Sequence, residues 1–111
     1  MDLHGATLTG ANLDGARLNG VRLDGANLQN TNLSYAQLHM SNLDGANLDG
    51  AKLSNTDLRG ARMKGATLDS ATWEQTHCPD GSMNDGTSPC TAEQLIAPEI
   101  DIPGLDPSMY G

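Results

Sequence analysis

The chain has 111 residues and a formal net charge of −8 at pH 7, with 13 Gly, no Phe and only 3% aromatic residues. One domain is the prior at this length, yet a core without large rings is not that of an ordinary sandwich or α/β domain, where aromatic side chains dominate burial. The acidity argues against nucleic-acid binding; no apolar run approaches the ~18 residues of a membrane-spanning helix, and no basic-then-apolar leader is visible at the N-terminus.

From the first residue the sequence repeats every five: ATLTG, ANLDG, ARLNG, VRLDG, ANLQN. The central residue runs from Leu3, Leu8 and Leu13 through Leu58, Met63 and Leu68 to Trp73, 15 pentads without an insertion, and 13 of the 15 centres are Leu. Ten pentads place Ala two residues before the centre, and nine place Gly two residues after it, with Asn30 and Asn55 in the same slot. A helix cannot use this pattern, since five residues advance about 500° and scatter the Leu residues round the axis. A straight strand cannot use it either, since an odd period alternates them between faces.

The pattern works if the chain turns once per pentad. Ala and Leu, two apart in a short extended piece, point the same way and therefore inward. Gly or Asn then holds the third turn position, where a type II turn needs positive φ. Four such pieces suggest a square coil of about 20 residues. The tandem Ala-(Asp/Asn)-Leu-x-x motif over residues 1–75 resembles the pentapeptide-repeat proteins. That resemblance implies an all-β fold, a right-handed quadrilateral parallel β-helix of about four coils, with Leu and Ala inside and the flanking residues in solvent. Each buried Leu then contributes up to ~2–3 kcal/mol.

A 20-residue coil stacks each residue on the one 20 later, so the faces can be read directly. The first carries Asp2, Arg22, Asn42 and Arg62 beside His4, Asp24, Asp44 and Lys64; the second carries Thr7, Asn27, Asn47 and Thr67 beside Thr9, Gln29, Asp49 and Asp69. The third carries Asn12, Asn32, Lys52 and Thr72 beside Asp14, Ser34, Ser54 and Glu74; the last carries Arg17, Gln37 and Asp57 beside Asn19, His39 and Arg59. Asp24 over Asp44, and Asp49 over Asp69, read as mildly unfavourable like-charge neighbours. Tyr35 and Met40 break the glycine rule at consecutive corners, with His39 beside Met40, and exposed apolar groups there read as a candidate partner contact. Trp73, the last of these centres, reads as a plug for the end of the coil.

Beyond Gln75 the composition changes. Cys78 and Cys90 bracket a turn-rich loop and read as a disulfide, worth about 3 kcal/mol in the loop-entropy account; the rival is a metal-binding cap using His77, Cys78 and Cys90, which lacks a fourth ligand and the usual zinc spacing. Asp80, Ser82, Asn84 and Asp85 match a calcium loop poorly, because Asp85 stands where Gly is expected. Thr91 and Gln94 suggest a capping box for a short helix whose Leu95 and Ile96 cover the coil end together with Trp73. The expected organisation is a β-helix over 1–75 and, over 76–111, a capping loop, short helix and acidic Pro-rich tail. That tail is similar to the C-terminal ends of some cyanobacterial and plant thylakoid-lumen members of the family. An oxidised cysteine pair favours the periplasm or thylakoid lumen, a reduced pair the cytoplasm. The open first coil invites self-association at the N-terminal end, or a longer chain.

The family resemblance also implies one function to weigh, the DNA-mimicking binders of DNA gyrase, whose charge must lie along the rod. Here residues 1–75 hold eight acids against all six bases, and the other six acids lie in the tail, so the rod is nearly neutral and that role is disfavoured. No Ser-His-Asp spacing or phosphate loop is present, and the glycines follow the turn period rather than a dinucleotide finger. The sequence therefore points to a non-catalytic structural or protein-interaction module with an unknown protein partner, no cofactor, no metal, no nucleic acid and no membrane.

Overall fold

The computed structural model describes residues 1–83 and residue 90. The second residue of every pentad from Asp2 to Asp57 forms a parallel bridge with the residue 20 positions later, beginning with Asp2 to Arg22 and ending with Asp57 to His77. Four pentads therefore close one coil, and the chain climbs as a β-solenoid. No helix occurs among the described residues. The third turn residue of every pentad has positive φ: glycines such as Gly5 at 68° and Gly50 at 74°, but also Asn30, Tyr35, Met40, Asn55, Ser70 and Gln75 at 52–61°. The carbonyl of each Leu accepts a bond from the N–H three residues on, as in Ala6 to Leu3 at 3.0 Å and Ala26 to Leu23 at 3.0 Å. With positive φ confined to the third turn residue, these corners are type II turns, as the glycine spacing predicts.

The five N–H groups of a pentad can be followed one by one. The central N–H donates up the ladder, Leu23 to Asn42 O at 2.8 Å, and so does the N–H of the third turn residue, Gly25 to Asp44 O at 2.8 Å. The second-position N–H donates down, Asn42 to Val21 O at 2.9 Å, and the first-position N–H closes the turn, Ala26 to Leu23 O. That leaves the N–H of the residue after the centre. It is met by the side chain of the second residue wherever this is Asp or Asn. Asp2, Asn12, Asn27, Asn32, Asn42, Asn47 and Asp57 each accept, through Oδ1, the N–H two residues on at 3.0–3.1 Å. The Asp/Asn of the motif thus supplies the bond that neither ladder nor turn provides, the Asx-turn chemistry of these side chains.

Inside, Leu23, Leu28, Leu33, Leu38, Leu43, Leu53 and Leu58 are fully buried, layered with Ala26, Ala36, Ala46, Ala51 and Ala61. In the first coil Leu3, Leu8 and Leu13 are only half-buried, because a coil covers them on one side alone. Four first positions carry hydroxyls instead of Ala, and each is buried with a carbonyl partner. Thr31 and Ser41 donate to Leu28 O and Leu38 O at 2.8 and 2.7 Å, while Thr56 and Thr76 donate to Leu33 O and Leu53 O, both at 2.7 Å. No buried side-chain polar atom among the described residues lacks a partner, so these substitutions leave the core intact.

The repeat does not stop at Gln75. Leu58 donates to His77 O at 2.8 Å and Gly60 to Pro79 O at 2.9 Å, so the ladder runs through one further unit, Thr76 to Asp80, with fully buried Cys78 in the central slot. Termination has a local cause. In the turn after Cys78 the positive φ moves to the fourth residue, Gly81 at 94°, with Pro79 second; that is the residue pattern of a type I turn. The chain then folds back: Cys78 donates to Ser82 O at 2.7 Å, and His77 and Met83 bridge in antiparallel sense. Asp80 Oδ1 accepts from Ser82 N–H and Oγ at 2.9 and 2.6 Å, which fixes the reversal.

Candidate interaction surface

Solenoid geometry leaves three kinds of outward position: the second residue, the residue after the centre, and the corner. On the first face the charges interlock. Arg22 spans Asp24 at 3.1 Å and Asp2 at 3.5 Å, Asp2 also holds His4 Nδ1 at 2.6 Å, and Arg62 reaches Asp44 at 2.8 Å. The side-chain and backbone hydrogen bonds from His4, with a smaller contribution from the charge of Arg22, lower the Asp2 carboxyl from its ordinary value; Arg22 does the same for Asp24 and is itself raised. These groups are exposed, so the pairs order the surface more than they stabilise it.

The like-charge stacks expected from the register are resolved in two ways. Asp24 and Asp44 each hold an arginine, Arg22 and Arg62. Asp49 Oδ1 accepts the Asp69 N–H at 2.9 Å, Asp44 Oδ1 that of Lys64 at 2.9 Å, and Asn19 Oδ1 that of His39 at 2.9 Å. In these three upper pentads the second residue is Thr67, Arg62 or Gln37, none of which makes an Asx turn. The coil below therefore provides the acceptor that the pentad lacks. A carboxylate accepting a backbone N–H gains a charge-assisted bond that offsets the repulsion.

On the last face Asp57 grips Arg59 through two bonds, Nε to Oδ1 at 2.9 Å and Nη2 to Oδ2 at 2.7 Å, while Oδ1 also accepts the Arg59 N–H at 3.1 Å. Chiefly through the side-chain bond, the Asp57 carboxyl is lowered and the Arg59 guanidinium raised. Asn19 Nδ2 donates to Gln37 Oε1 at 3.1 Å, tying the first coil to the second. Three of the residues singled out in the sequence, Tyr35, His39 and Met40, lie on or at the edges of this face. Tyr35 is 63% exposed and His39 is exposed, whereas Met40 is half-buried. The Met40 side chain lies across the next coil, with Sδ where a Cβ on Gly60 would stand. Tyr35 and Met40 are the corners on either side of the same short segment, and both have φ of 61°.

At the far end, Cys78 and Cys90 form a disulfide with Cα atoms 5.9 Å apart, both buried in one cluster with Trp73. Neither sulfur is left to act as a thiolate, and no group of three or more candidate metal-ligating side chains assembles among the described residues. Asn84, Asp85, Thr91, Gln94, Leu95 and Ile96 lie outside the described residues. No helix among the described residues is long and apolar enough to cross a membrane. Missed in the sequence were the Asp/Asn bonds to the N–H two residues on, and the sixteenth unit ending at Asp80. The signal for that unit was present: Cys78 falls five residues after Trp73, and Thr76 repeats the first-position Thr of Thr31 and Thr56.

Comparison with known proteins agrees with this geometry. The family described as pentapeptide repeats matches residues 2–39, 11–50 and 41–72, in eight copies. No curated protein matches the chain. Among solved structures, HetL, a pentapeptide repeat protein involved in heterocyst differentiation regulation from the cyanobacterium Nostoc sp. strain PCC 7120, is 35% identical over 75% of this chain and 43% of its own, with a TM-score of 0.46. QnrB1, a plasmid-mediated fluoroquinolone resistance protein, is 23% identical over 68% of this chain and 40% of its own, with a TM-score of 0.63, a likeness of fold alone. A pentapeptide repeat protein from the Arabidopsis thaliana thylakoid lumen is 27% identical over 76% of this chain and 52% of its own, with a TM-score of 0.47. The chain thus spans about half or less of the length of these structures.

Proposed function

Because the chain belongs to the pentapeptide-repeat family, we propose that it is a non-catalytic protein-interaction module: a right-handed quadrilateral β-helix of about four coils that presents a contact at Tyr35, His39 and Met40. The carrying observation is that two bulky corner residues keep a left-handed backbone where most corners use Gly. A non-glycine residue pays about 1–2 kcal/mol per residue for the left-handed helical conformation. Strain of this kind, on exposed Tyr35 and half-buried Met40, supports a functional role for them. In this reading residues 1–80 form the presenting scaffold, and Trp73, with the segment beyond Asp80, closes its C-terminal end. The buried disulfide supports an oxidising compartment, periplasm or thylakoid lumen. A photo-crosslinking residue introduced at position 35 or 40 traps a partner in lysate of the native host, whereas one at Gly5 or Gly25 does not. Equal trapping from all four corners defeats the proposal.

The second reading, a DNA-mimicking inhibitor of gyrase, is supported by the fold shared with a fluoroquinolone resistance protein. Against it stands the use of the acids on the rod. Asp2, Asp24, Asp44 and Asp57 are ion-paired and Asp49 accepts a backbone N–H, so little carboxylate remains to imitate a phosphate backbone. Purified protein is expected to leave gyrase supercoiling unchanged.

A further inference from the structure

The sequence carries nine Asn residues, and only Asn19 is followed by a glycine, Gly20. Five of the others precede Leu, two precede Thr, and Asn84 precedes Asp85. The difference is chemical. A backbone nitrogen can attack the side-chain amide of the Asn before it and close a cyclic imide, and a glycine nitrogen does so most readily because no Cβ shields it. Leu or Thr in that place crowds the nitrogen. Asn19 and Gly20 are also exposed, so water and base reach them.

In the folded solenoid the next coil holds this reaction back. The Gly20 N–H, which must lose its proton, donates to His39 O at 2.9 Å. The Asn19 amide, which must turn onto the Gly20 nitrogen, is held at both ends: Oδ1 accepts the His39 N–H at 2.9 Å, and Nδ2 donates to Gln37 Oε1 at 3.1 Å. Nucleophile and electrophile are thus both engaged with residues 37–39, and ring closure needs these bonds to open together. Asp44 and Asp49 occupy the same slot of their pentads, each before a glycine and each accepting the N–H 20 residues on. An ionised carboxylate is a poor electrophile, which leaves the Asn19 amide as the reactive member of this set.

We propose that Asn19–Gly20 is a site of spontaneous deamidation, held in reserve by the bonds between the first two coils and released when they part. Hydroxide takes the Gly20 N–H proton and becomes water. The Gly20 nitrogen attacks Asn19 Cγ, the new C–N bond forms, the Cγ–Nδ2 bond breaks, and ammonia leaves with a proton from water. Water then opens the imide at either carbonyl, giving aspartate at position 19 or an iso-aspartyl link whose main chain runs through Cγ. The two products differ in consequence. Aspartate keeps an oxygen for the His39 N–H, as Asp44 and Asp49 do for Lys64 and Asp69, and loses only the donor to Gln37. The iso-aspartyl link lengthens the main chain by a methylene inside a corner, so the 20-residue spacing from Arg17 to Gln37 and from Arg22 to Asn42 no longer fits on both sides of it. His39 belongs to the contact proposed above, so the modification reaches that face, but its chemistry stands without that reading.

The test incubates the full chain in mildly alkaline buffer, native and in guanidinium chloride, and follows every Asn by peptide mapping and by labelling with an iso-aspartyl methyltransferase. In denaturant Asn19 is expected to be converted before any other Asn, and Gly20→Ala to slow its conversion. In the native protein conversion is expected to be slower by about tenfold or more, the protection that a local opening imposes. Gln37→Ala removes one holding bond from an exposed position; it is expected to raise the native rate severalfold and to leave the rate in denaturant unchanged. The Leu18 N–H, which donates to Gln37 O at 2.7 Å, is expected to keep its hydrogen-exchange protection in Asn19→Asp and to lose it in the iso-aspartyl fraction. The proposal is overturned if another Asn is converted first in denaturant, if native and denatured rates are equal, if Gln37→Ala leaves the native rate unchanged, or if the iso-aspartyl fraction keeps the Leu18 protection.

Discussion

Glycine at a corner has two separable duties, and the structure shows both. Every corner needs positive φ, which an L side chain adopts at a cost. A second duty falls only on corners that lie above an occupied one. A Cβ on Gly5 meets nothing within 4 Å, whereas one on Gly60 would stand in the Met40 side chain and one on Gly50 in that of Asn30. Occupied and bare corners therefore alternate up these two columns, Gly20, Met40 and Gly60 in one, Gly10, Asn30 and Gly50 in the other. Gly5→Ala is expected to lose about 1 kcal/mol from backbone strain alone. Gly60→Ala adds the displacement of Met40 and should lose clearly more in urea denaturation. In the double variant Met40→Gly with Gly60→Ala, the excess over Gly5→Ala should disappear, which a double-mutant comparison reads directly.

Each pentad is a unit of backbone satisfaction before it is a unit of packing. Its period, inward Leu and Ala, and glycine corners could all be read from residue type, because side-chain direction and positive φ are properties of single positions. The role of Asp/Asn could not, since the N–H it serves is identified only once ladder and turn have claimed the other four. The same limit hid the sixteenth unit: Cys78 and Pro79 do not look like Leu and a polar turn residue, although Cys is a small core group and Pro needs no acceptor at the one N–H that His77 could not cap. Nor could the register alone foresee that the Asp49 carboxylate accepts the Asp69 N–H. Asp57 tests this bookkeeping because it does both jobs, capping the Arg59 N–H and pairing with the Arg59 guanidinium. Folding depresses its pKa, so its ionic contribution is present above the unfolded value near 3.9 and is lost as pH falls through the folded value. Asp57→Asn keeps an oxygen for the N–H and loses only the ion pair, a change of at most about 1 kcal/mol at pH 7. That difference from the parent should shrink towards zero in unfolding measured below about pH 4. Asp57→Ala loses the cap as well, and its larger deficit should persist in acid, where a protonated carboxyl still accepts the bond.

Across the whole coil, stability is a sum of neighbouring interfaces, as in other solenoids, and the burial pattern says where that sum is thin. Leu13 and Leu33 occupy the same column one coil apart, yet Leu33 is fully buried between coils while Leu13 is covered on one side only. Removing the side chain should therefore read out the number of coil interfaces that each residue serves rather than its chemistry. Leu33→Ala is expected to lose about 2–5 kcal/mol, the range for a buried Leu whose cavity persists. Leu13→Ala should lose roughly half or less, because its site is partly hydrated already and can collapse. Hydrogen exchange supplies the independent reading. The Leu13 N–H, which donates to Asn32 O at 2.8 Å, should exchange through local opening of the first coil, and the Leu33 N–H, which donates to Lys52 O at 2.9 Å, only through wider unfolding. Equal protection of the two would mean that the coils melt as one unit. The contact proposed at Tyr35 and Met40 would then sit on a scaffold that cannot open without losing it; graded protection would place that proposed contact just inside the first coil that frays.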